Sequence, residues 1–344
     1  MKKLKSDYKI LIHIIISSLF AASCTFGNES INLSKKLLGT TVTITVIADQ
    51  AAGEYAISAA FDEISRIERD LSIYRPDSRL SVVNSKAYAE PVKVNNEIMD
   101  LIKLSADISQ KTAGAFDITF ASMGKLWNYS SDEFVPPAPA SVKKILPAFN
   151  YRNIIIDEDN MTIRFLHPKT KIGLGGIAKG YAVKRAVDVL KDTGIKNGIV
   201  ACAGDIQVFG SGNGKPWLVG IKHPRDDGVI GTIGLTGDES ISTSGDYERF
   251  KFYKGKRFHH IIDPKTGYPS DTGLISAAII GSDPARTDAY ATAVFVMGLS
   301  AAKDFLKRES SISVILIDED LTVYVSDSLK DRVKIKAGFK VVFI

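Results

Sequence analysis

The sequence predicts an α+β fold, in which one compact, two-lobed domain is built on a mixed, mainly antiparallel sheet. Segments with the period of a strand and segments with the period of a helix are interspersed without regular strand–helix–strand order, which argues against a doubly wound sheet. Of the 344 residues, 45% are hydrophobic and 24% are charged, the composition of a globular chain with a sizeable core. Because no Pro/Ser-rich linker divides the chain, we expect a single domain.

The first elements of this domain follow from periodicity. Residues 38–47 alternate threonine with β-branched apolar residues, which is the period-2 pattern of a strand. Apolar side chains recur at three- and four-residue spacing over residues 57–71 and predict a helix. A second helix is expected over residues 96–111.

The rest of the chain mixes short strands with three further helices. Short strands around Ile154 and Ile163 precede a helix that glycines open and that Gly194 ends. Asp283 and Pro284 form a preferred cap and first turn for the next helix. The other expected elements are strands within 198–260, a strand over 274–280, a helix over 300–308, and strands near residues 312, 323 and 341.

The N-terminus reads as an export signal that lies outside this domain. Four lysines fall within the first nine residues, and a mostly apolar run at 10–22 follows, too short and too early for a comfortable membrane span. Small residues then lead into Cys24, as in bacterial lipoprotein signals, although Ala21 stands where such signals usually carry leucine. A plain secretory signal and a single anchor helix are the alternatives.

The lipoprotein interpretation divides the chain into three parts. We expect a signal peptide over residues 1–23, a spacer over 24–36 after a lipidated Cys24, and the functional domain over 37–344. The protein would then be exported and lipid-anchored to the cell (inner) membrane, facing the periplasm or the cell exterior. Cys202 would remain as the one thiol of the exported domain, so no internal disulfide is expected.

The charge balance excludes one class of partner. Loss of the signal lowers the formal charge from +5 to about +2. No stripe of lysine and arginine with interleaved aromatic residues occurs, so we expect no nucleic acid partner.

A glycine-rich stretch, GLGGIAKG at 173–180, opens the helix that ends at Gly194. Free N–H groups and the positive end of the helix dipole suit a phosphate there. A dinucleotide-binding unit would place such a stretch at the first strand–helix turn with an acidic residue about 20 residues later, and the chain offers neither cleanly. A tight turn for close helix–sheet packing explains the stretch equally well.

Two oxygen-bearing side chains share one face of a predicted helix. Asp288 and Thr292 are four residues apart, and both are hard donors of the kind that Mg²⁺ accepts. Alternatively, Thr292 bonds back to the Asp288 carbonyl, and Asp288 only stabilises the helix N-terminus.

Adjacent histidines end a predicted strand. His259 and His260 must point to opposite faces, so at most one of them can serve a given site and the other is structural. Spacing typical of a zinc site is absent from the sequence.

The order of the motifs resembles that of the ApbE-type flavin transferases, over essentially the whole exported domain. The motifs are LSIYRPDSRLSVVN (71–84), TAGAFDIT (112–119), LGGIAKGYA (174–182), ISTSGDYER (241–249), HHIIDPKTGYP (259–269) and TDAYATAVFVMG (287–298). The resemblance implies the ApbE, T-fold-like architecture and a Mg²⁺-dependent FAD:protein FMN transferase, exported and often lipid-anchored. Such an enzyme cleaves FAD, releases AMP and links FMN by a phosphoester to a threonine of a target protein. Two alternatives are a Mg²⁺-dependent FAD pyrophosphatase that yields FMN and AMP, and a non-catalytic flavin-binding lipoprotein.

The resemblance also assigns residues, position by position. It implies Mg²⁺ ligation by the Gly176 carbonyl, Asp288 and Thr292. It implies that the FAD site is lined by Leu38, Tyr74, Ala115, Phe116, Asp117, Gly173, Lys179 and Ile262. Two of these depart from the family pattern, since Leu38 replaces a common methionine and Gly173 a common aspartate, and the second change predicts weaker FAD binding.

The same resemblance places His260 near the reacting phosphate. A neutral imidazole is a suitable general base for a weak threonine nucleophile, so we expect His260 to be catalytic, with Asp263 or Asp246 as its orienting partner. The implied partners are FAD, the membrane through the lipid anchor, and an acceptor protein with a target threonine, such as a membrane redox subunit.

Overall fold

The computed structural model describes residues 29–344, so the predicted signal peptide and Cys24 lie outside the described residues. The helices of this part are α1 (Gln50–Leu71), α2 (Arg79–Lys86), α3 (Asn96–Lys111), α4 (Pro139–Ile145), α5 (Ala178–Asp192) and α6 (Pro284–Leu306). The strands are β1 (Glu29–Leu37), β2 (Thr40–Ala48), β3 (Val92–Lys93), β4 (Ile154–Asp157), β5 (Thr162–Phe165), β6 (Gly198–Cys202), β7 (Asp205–Phe209), β8 (Trp217–Lys222), β9 (Val229–Leu235), β10 (Ser240–Gly245), β11 (Phe250–Tyr253), β12 (Lys256–His259), β13 (Leu274–Gly281), β14 (Ser313–Asp318), β15 (Val323–Val325), β16 (Val333–Ile335) and β17 (Val341–Phe343).

A nine-stranded sheet is the centre of the fold, in the order β1-β2-β6-β7-β10-β13-β14-β15-β17. Every neighbouring pair in it is antiparallel except β15 and β17. Smaller sheets in the orders β16-β9-β8, β3-β5-β4 and β11-β12 complete the described part of the chain. The predicted α+β class with a mainly antiparallel sheet is therefore confirmed.

The sheet begins earlier than the sequence suggested. β1 pairs with β2 from Glu29 to Leu37, so residues 29–36 belong to the domain, and the expectation of a spacer over 24–36 is wrong for this part. The reason is that β1 is an edge strand with only Ile31 and Leu37 buried, so its exposed polar residues conceal the period. The turn between the strands consists of Leu38 and Gly39, with φ of 53° and 71°, as a two-residue hairpin turn requires.

Both faces of the sheet are covered. Helices α1, α3, α5 and α6 pack over one face and form the larger apolar core. The opposite face packs on the β16-β9-β8 sheet around residues such as Val208, Ile233 and Ile315. Because water is excluded from both sides, the central strand β13 is buried over seven successive residues, with no polar alternation.

Helix α6 is the longest helix of the described part and carries a break. Gly298 has φ of 73°, and a Cβ there would lie 2.7 Å from Thr272 Cβ. The helix predicted over 300–308 corresponds to the segment of α6 after this kink. Within residues 29–344, α6 is the one helix long and apolar enough to cross a membrane, by length and composition only. Its apolar stretch is 56% buried, and Ala289, Tyr290 and Phe295 belong to the larger core.

A small aromatic cluster supports the β11–β12 hairpin, which ends at His259. Trp127 stacks on Phe134 and Phe258, and its indole N–H donates to the carbonyl of Gly267 at 3.0 Å. Tyr129 donates from its hydroxyl to the carbonyl of His259 at 2.6 Å. The cluster therefore fixes the end of β12 and the position of the histidine pair.

Candidate functional site

The first residue of the site is Asp288, in the second turn of α6. Asp283 caps this helix through its carboxylate, which accepts from the N–H of Ala285 at 3.0 Å, and Pro284 follows as predicted. Asp288 is only 4% exposed, and its Oδ2 accepts the N–H of Gly180 at 3.0 Å. Since the residue before α5, Ile177, has no capping side chain, Asp288 of α6 satisfies a free N–H at the start of α5.

Close packing of α5 on α6 requires a glycine at this point. A Cβ on Gly180 would lie 2.0 Å from the carbonyl oxygen of Pro284 and 2.9 Å from Asp288 Cβ. The last glycine of GLGGIAKG therefore permits the contact that places Asp288 at the helix N-terminus.

Lys179 lies between two buried carboxylates. Its ammonium forms an ion pair with Asp205, and the distance from Lys179 Nζ to Asp288 Oδ1 is 3.5 Å. Asp205 is 1% exposed at the start of β7. Burial and the charge of Asp205 raise the pKa of Asp288, whereas the two carboxylates raise the pKa of Lys179 against the effect of desolvation. Lys179 therefore carries a positive charge, which its two acidic neighbours stabilise.

Asp205 was missed by the sequence reasoning. The signal was available, because Asp205 is the one charged residue in the apolar hairpin GIVACAGDIQVF, directly after a two-residue turn. The sequence does not show which residue pairs with Asp205, because its partner Lys179 lies 26 residues earlier, on a helix.

The other two predicted metal ligands lie beside Asp288. Thr292 Oγ1 is 3.3 Å from Ser244 Oγ of β10, so its hydroxyl is turned to the sheet and not to the Asp288 carbonyl. A Cβ on Gly176 would lie 3.5 Å from Thr292 Oγ1 and 3.2 Å from Phe116 Cε2. The structure thus places the Gly176 backbone next to Thr292, one helical turn from Asp288, although the two segments are more than 100 residues apart in the chain.

These donors fit a small hard cation. A carboxylate oxygen with one long contact and a threonine hydroxyl beside the Gly176 backbone are oxygen donors of the type that Mg²⁺ takes, together with water and phosphate. No group of three or more His, Cys, Asp or Glu side chains that could hold a metal occurs within residues 29–344. Water or a phosphate would therefore complete the coordination of a cation bound here.

The segment 115–117 forms part of the wall next to Gly176. Ala115 and Phe116 are buried, and the Phe116 ring contacts the Gly176 position. The Asp117 carboxylate accepts from Thr119 N at 2.7 Å, Thr119 Oγ1 at 2.6 Å and Tyr151 N at 2.7 Å. Burial raises the pKa of Asp117 to about 6. Since its oxygens serve these local donors, Asp117 shapes the wall through the backbone of the next turn.

The remaining predicted flavin residues lie in four different segments. Leu38 is half-buried at the tip of the β1–β2 hairpin, Tyr74 is 82% exposed in the turn after α1, and half-buried Ile262 bridges to Pro269 beside the aromatic cluster. Gly173 donates its N–H to the carbonyl of Ile118 at 2.8 Å.

The space at Gly173 is already filled. A Cβ there would lie 3.0 Å from Phe120 Cζ and 3.2 Å from Ala121 Cβ. The loss of the common aspartate therefore coincides with an aromatic ring packed where its side chain would begin.

The adjacent histidines have different environments, as strand alternation predicts. His259 is 6% exposed, its Nε2 donates to the carbonyl of Ser270 at 2.8 Å, and its Nδ1 accepts from Ile261 N at 3.3 Å. Its ring also meets Phe295 edge to face at 5.4 Å. Both nitrogens of His259 are thus used within the fold.

His260 is exposed, and within residues 29–344 its Nε2 has no protein hydrogen-bond partner. Its Nδ1 lies 3.1 Å from the carbonyl of Arg249, which can only accept, so Nδ1 carries the proton and Nε2 has the lone pair. Although the residue reaches solvent, desolvation of the ring lowers the pKa of His260, and the positive charges of Arg249 and Lys179 act in the same direction.

The expected orienting partners of His260 are wrong. Asp246 forms two hydrogen bonds with Arg225, at 2.6 and 2.8 Å, and Asp263 accepts the N–H of Lys265 at 2.8 Å within its own turn. The backbone carbonyl of Arg249, the residue before β11, orients His260 instead, and carbonyls cannot be recognised from side-chain types.

Comparisons with known proteins agree with the resemblance to the ApbE-type flavin transferases. The ApbE family model matches residues 38–316. The chain is 30% identical over 331 residues to an FAD:protein FMN transferase of Vibrio cholerae, covering 92% of this chain and 96% of that protein. It is 27% identical to an FAD:protein FMN transferase of Klebsiella pneumoniae, covering 92% and 98% respectively. The crystal structure of the ApbE protein from Thermotoga maritima superposes with a TM-score of 0.81 at 32% identity, covering 88% of this chain and 99% of that one.

Proposed function

Because the chain belongs to the ApbE family, we propose that it is an FAD:protein FMN transferase whose reaction depends on Mg²⁺. It cleaves FAD, releases AMP and links FMN by a phosphoester to a threonine of an acceptor protein. The observation that carries the proposal is the convergence of Gly176, Asp288 and Thr292 at the N-terminal end of α5. The positive end of the α5 dipole at this point also favours an anionic pyrophosphate.

The chain's own residues bind and orient the substrate. Phe116 and Ala115 form an apolar wall next to the Gly176 backbone, on which a flat ring system can pack. Mg²⁺ bound by Gly176, Asp288 and Thr292 would neutralise charge on the pyrophosphate. Lys179 adds a positive charge to the same region.

His260 is the proton acceptor in this proposal. The threonine hydroxyl gives its proton to Nε2 while its oxygen forms a bond to the FMN phosphorus. The bond from that phosphorus to the oxygen of the AMP phosphate breaks, and AMP leaves with the electron pair. The Arg249 carbonyl holds the Nδ1–H tautomer, so the neutral ring presents the Nε2 lone pair to the threonine hydroxyl. Positioned bases of this kind contribute roughly 10²- to 10⁴-fold to the rate.

The proposal also covers the location of the protein and the kind of acceptor on which it acts. We place the protein outside the cytoplasm, tethered to the membrane through a lipid on Cys24, with a membrane redox subunit as acceptor. The supporting observation is the N-terminal sequence, together with the start of β1 at Glu29, only five residues after Cys24. So short a tether would keep the domain at the membrane surface, where such an acceptor lies.

The decisive experiment incubates the full chain with FAD, Mg²⁺ and an acceptor domain that carries one target threonine. We expect the acceptor mass to rise by that of one FMN less one water with release of one AMP, and we expect EDTA or a Thr→Ala acceptor to abolish the increase. Free FMN and AMP formed without acceptor would instead establish hydrolysis. Water can take the place of the acceptor hydroxyl because His260 is exposed. Tight FAD binding without AMP release under every condition would contradict both reactions.

A further inference from the structure

We propose that Asp205 is a positioning residue for the metal site: it binds the ammonium of Lys179 and thereby leaves Asp288 Oδ1 available to a divalent cation. The inference rests on the proposed metal site and adds a residue that the sequence motifs did not contain. Its basis is the arrangement of one ammonium between two buried carboxylates.

The two carboxylates are used differently. Lys179 pairs directly with Asp205, whereas its distance of 3.5 Å to Asp288 Oδ1 exceeds the 2.7–2.9 Å typical of a strong charge-assisted bond. Asp288 Oδ2 is occupied by the N–H of Gly180 at 3.0 Å. Oδ1 is therefore the less tightly bound oxygen of Asp288. Asp288 lies on the same face of α6 as Thr292.

Asp205 is held rigidly, and Lys179 is not. Asp205 closes the β6–β7 turn opposite Cys202 and pairs on its other side with Ser242 of β10, within the interior of the nine-stranded sheet. A lysine has a flexible four-carbon stem. If Asp205 lost its charge, the ammonium could move the short distance to Asp288 and form the direct ion pair that the native arrangement avoids.

The charge balance leads to the same conclusion. With both carboxylates ionised, this buried group carries one net negative charge, which a divalent cation converts to one net positive charge. Neutralising Asp205 leaves Lys179 and Asp288 as an ion pair with a net charge of zero, which no longer attracts a metal ion. Removing Lys179 instead leaves two carboxylates facing the cation.

The test measures Mn²⁺ binding to the full chain in detergent, without FAD, from the electron paramagnetic resonance signal of free Mn²⁺. We expect D205N to bind Mn²⁺ roughly 10- to 100-fold more weakly than wild type, as is typical when a residue that supports a metal ligand is lost. K179M should bind at least as tightly as wild type, and D205N/K179M should return to within a few-fold of it. D304N, which removes an exposed carboxylate paired with Lys307, is the matched control and should bind as wild type does.

The outcomes distinguish the role of Asp205 from the existence of the metal site. Wild-type chain that binds no Mn²⁺, or D288N with wild-type affinity, overturns the metal site and the role of Asp205 together. D205N with wild-type affinity, or a double variant as weak as D205N, overturns the role of Asp205 alone. If D205N does not fold, K179M decides by itself, because weaker Mn²⁺ binding by K179M contradicts the inference. A crystal structure of D205N should also show Lys179 Nζ in direct contact with Asp288 Oδ1.

Discussion

The backbone N–H of Gly180 donates to Oδ2 of Asp288 at 3.0 Å, although 108 residues separate the two in the chain. One carboxylate thus joins the start of α5 to α6 and at the same time supplies the acidic oxygen of the proposed metal site. The site and the helix packing depend on the same group, so changes at this contact should affect both stability and metal binding.

Gly180→Ala should be strongly destabilising. Its Cβ would lie 2.0 Å from the backbone oxygen of Pro284, which cannot move without shifting α6. We expect a loss of about 3 kcal/mol or more in the free energy of unfolding, measured by urea denaturation. Gly175→Ala is the matched control, because its Cβ would have only Phe120 Cζ at 3.7 Å and should change stability by less than about 0.5 kcal/mol. Equal stabilities for the two variants would contradict the packing argument.

His260→Ala should abolish flavin transfer while FAD remains bound. The substitution removes the free Nε2, and we expect a rate lower by roughly 10²- to 10⁴-fold with an unchanged FAD dissociation constant. The measurements are the rate of acceptor labelling and the quenching of flavin fluorescence. His167→Ala, which removes a histidine whose Nδ1 serves its own turn, should retain full activity. Full activity of His260→Ala would remove this assignment.

His259→Ala should act on stability instead. It leaves the carbonyl of Ser270 and the N–H of Ile261 without their partner and opens a cavity beside Phe295. We expect a loss of about 2–4 kcal/mol in the free energy of unfolding. At a temperature where the variant is folded, its transfer rate should fall far less than that of His260→Ala. The reverse order of effects would show that the roles of the two histidines are exchanged.

The pH dependence of transfer should reflect the lowered pKa of His260. The base form exists above the pKa, so kcat/KM should rise with pH through an acid limb and stay level above it. Because desolvation lowers this pKa, the midpoint of the limb should fall below 6.5, the ordinary value for histidine. The profile is to be recorded at saturating Mg²⁺, which keeps Asp288 ionised. A midpoint at or above 6.5 would contradict the lowered pKa of His260.

Gly173→Asp should improve FAD binding only when Phe120 is also reduced in size. The new Cβ lies 3.0 Å from Phe120 Cζ, so the ring must move before the carboxylate can reach a flavin. In a Phe120→Ala background we expect Gly173→Asp to tighten FAD binding about 10-fold, the value of one hydrogen bond to a charged group. In the wild-type background it should bring no gain. Fluorescence titration of the four proteins would expose a gain in both backgrounds, which contradicts the steric argument.

Local patterns in the sequence were sufficient for the element types and for the pairs of residues that lie close in the chain. Helical spacing put Asp288 and Thr292 on one face, and strand alternation separated His259 from His260, because backbone geometry repeats every 3.6 or two residues whatever surrounds it. The cap at Asp283 and Pro284 likewise depends only on adjacent residues. The edge strand β1 was missed, because most of its residues are exposed and show no period.

Only the tertiary structure decided which distant groups meet. It paired Lys179 with Asp205, joined Gly180 to Asp288, and gave His260 a backbone carbonyl where a carboxylate was expected. It also placed the Phe120 ring in the space beside Gly173. Each of these contacts depends on how helices and strands are packed across the nine-stranded sheet. Spacing along the chain does not encode that packing, because it arises from burying many apolar side chains at once.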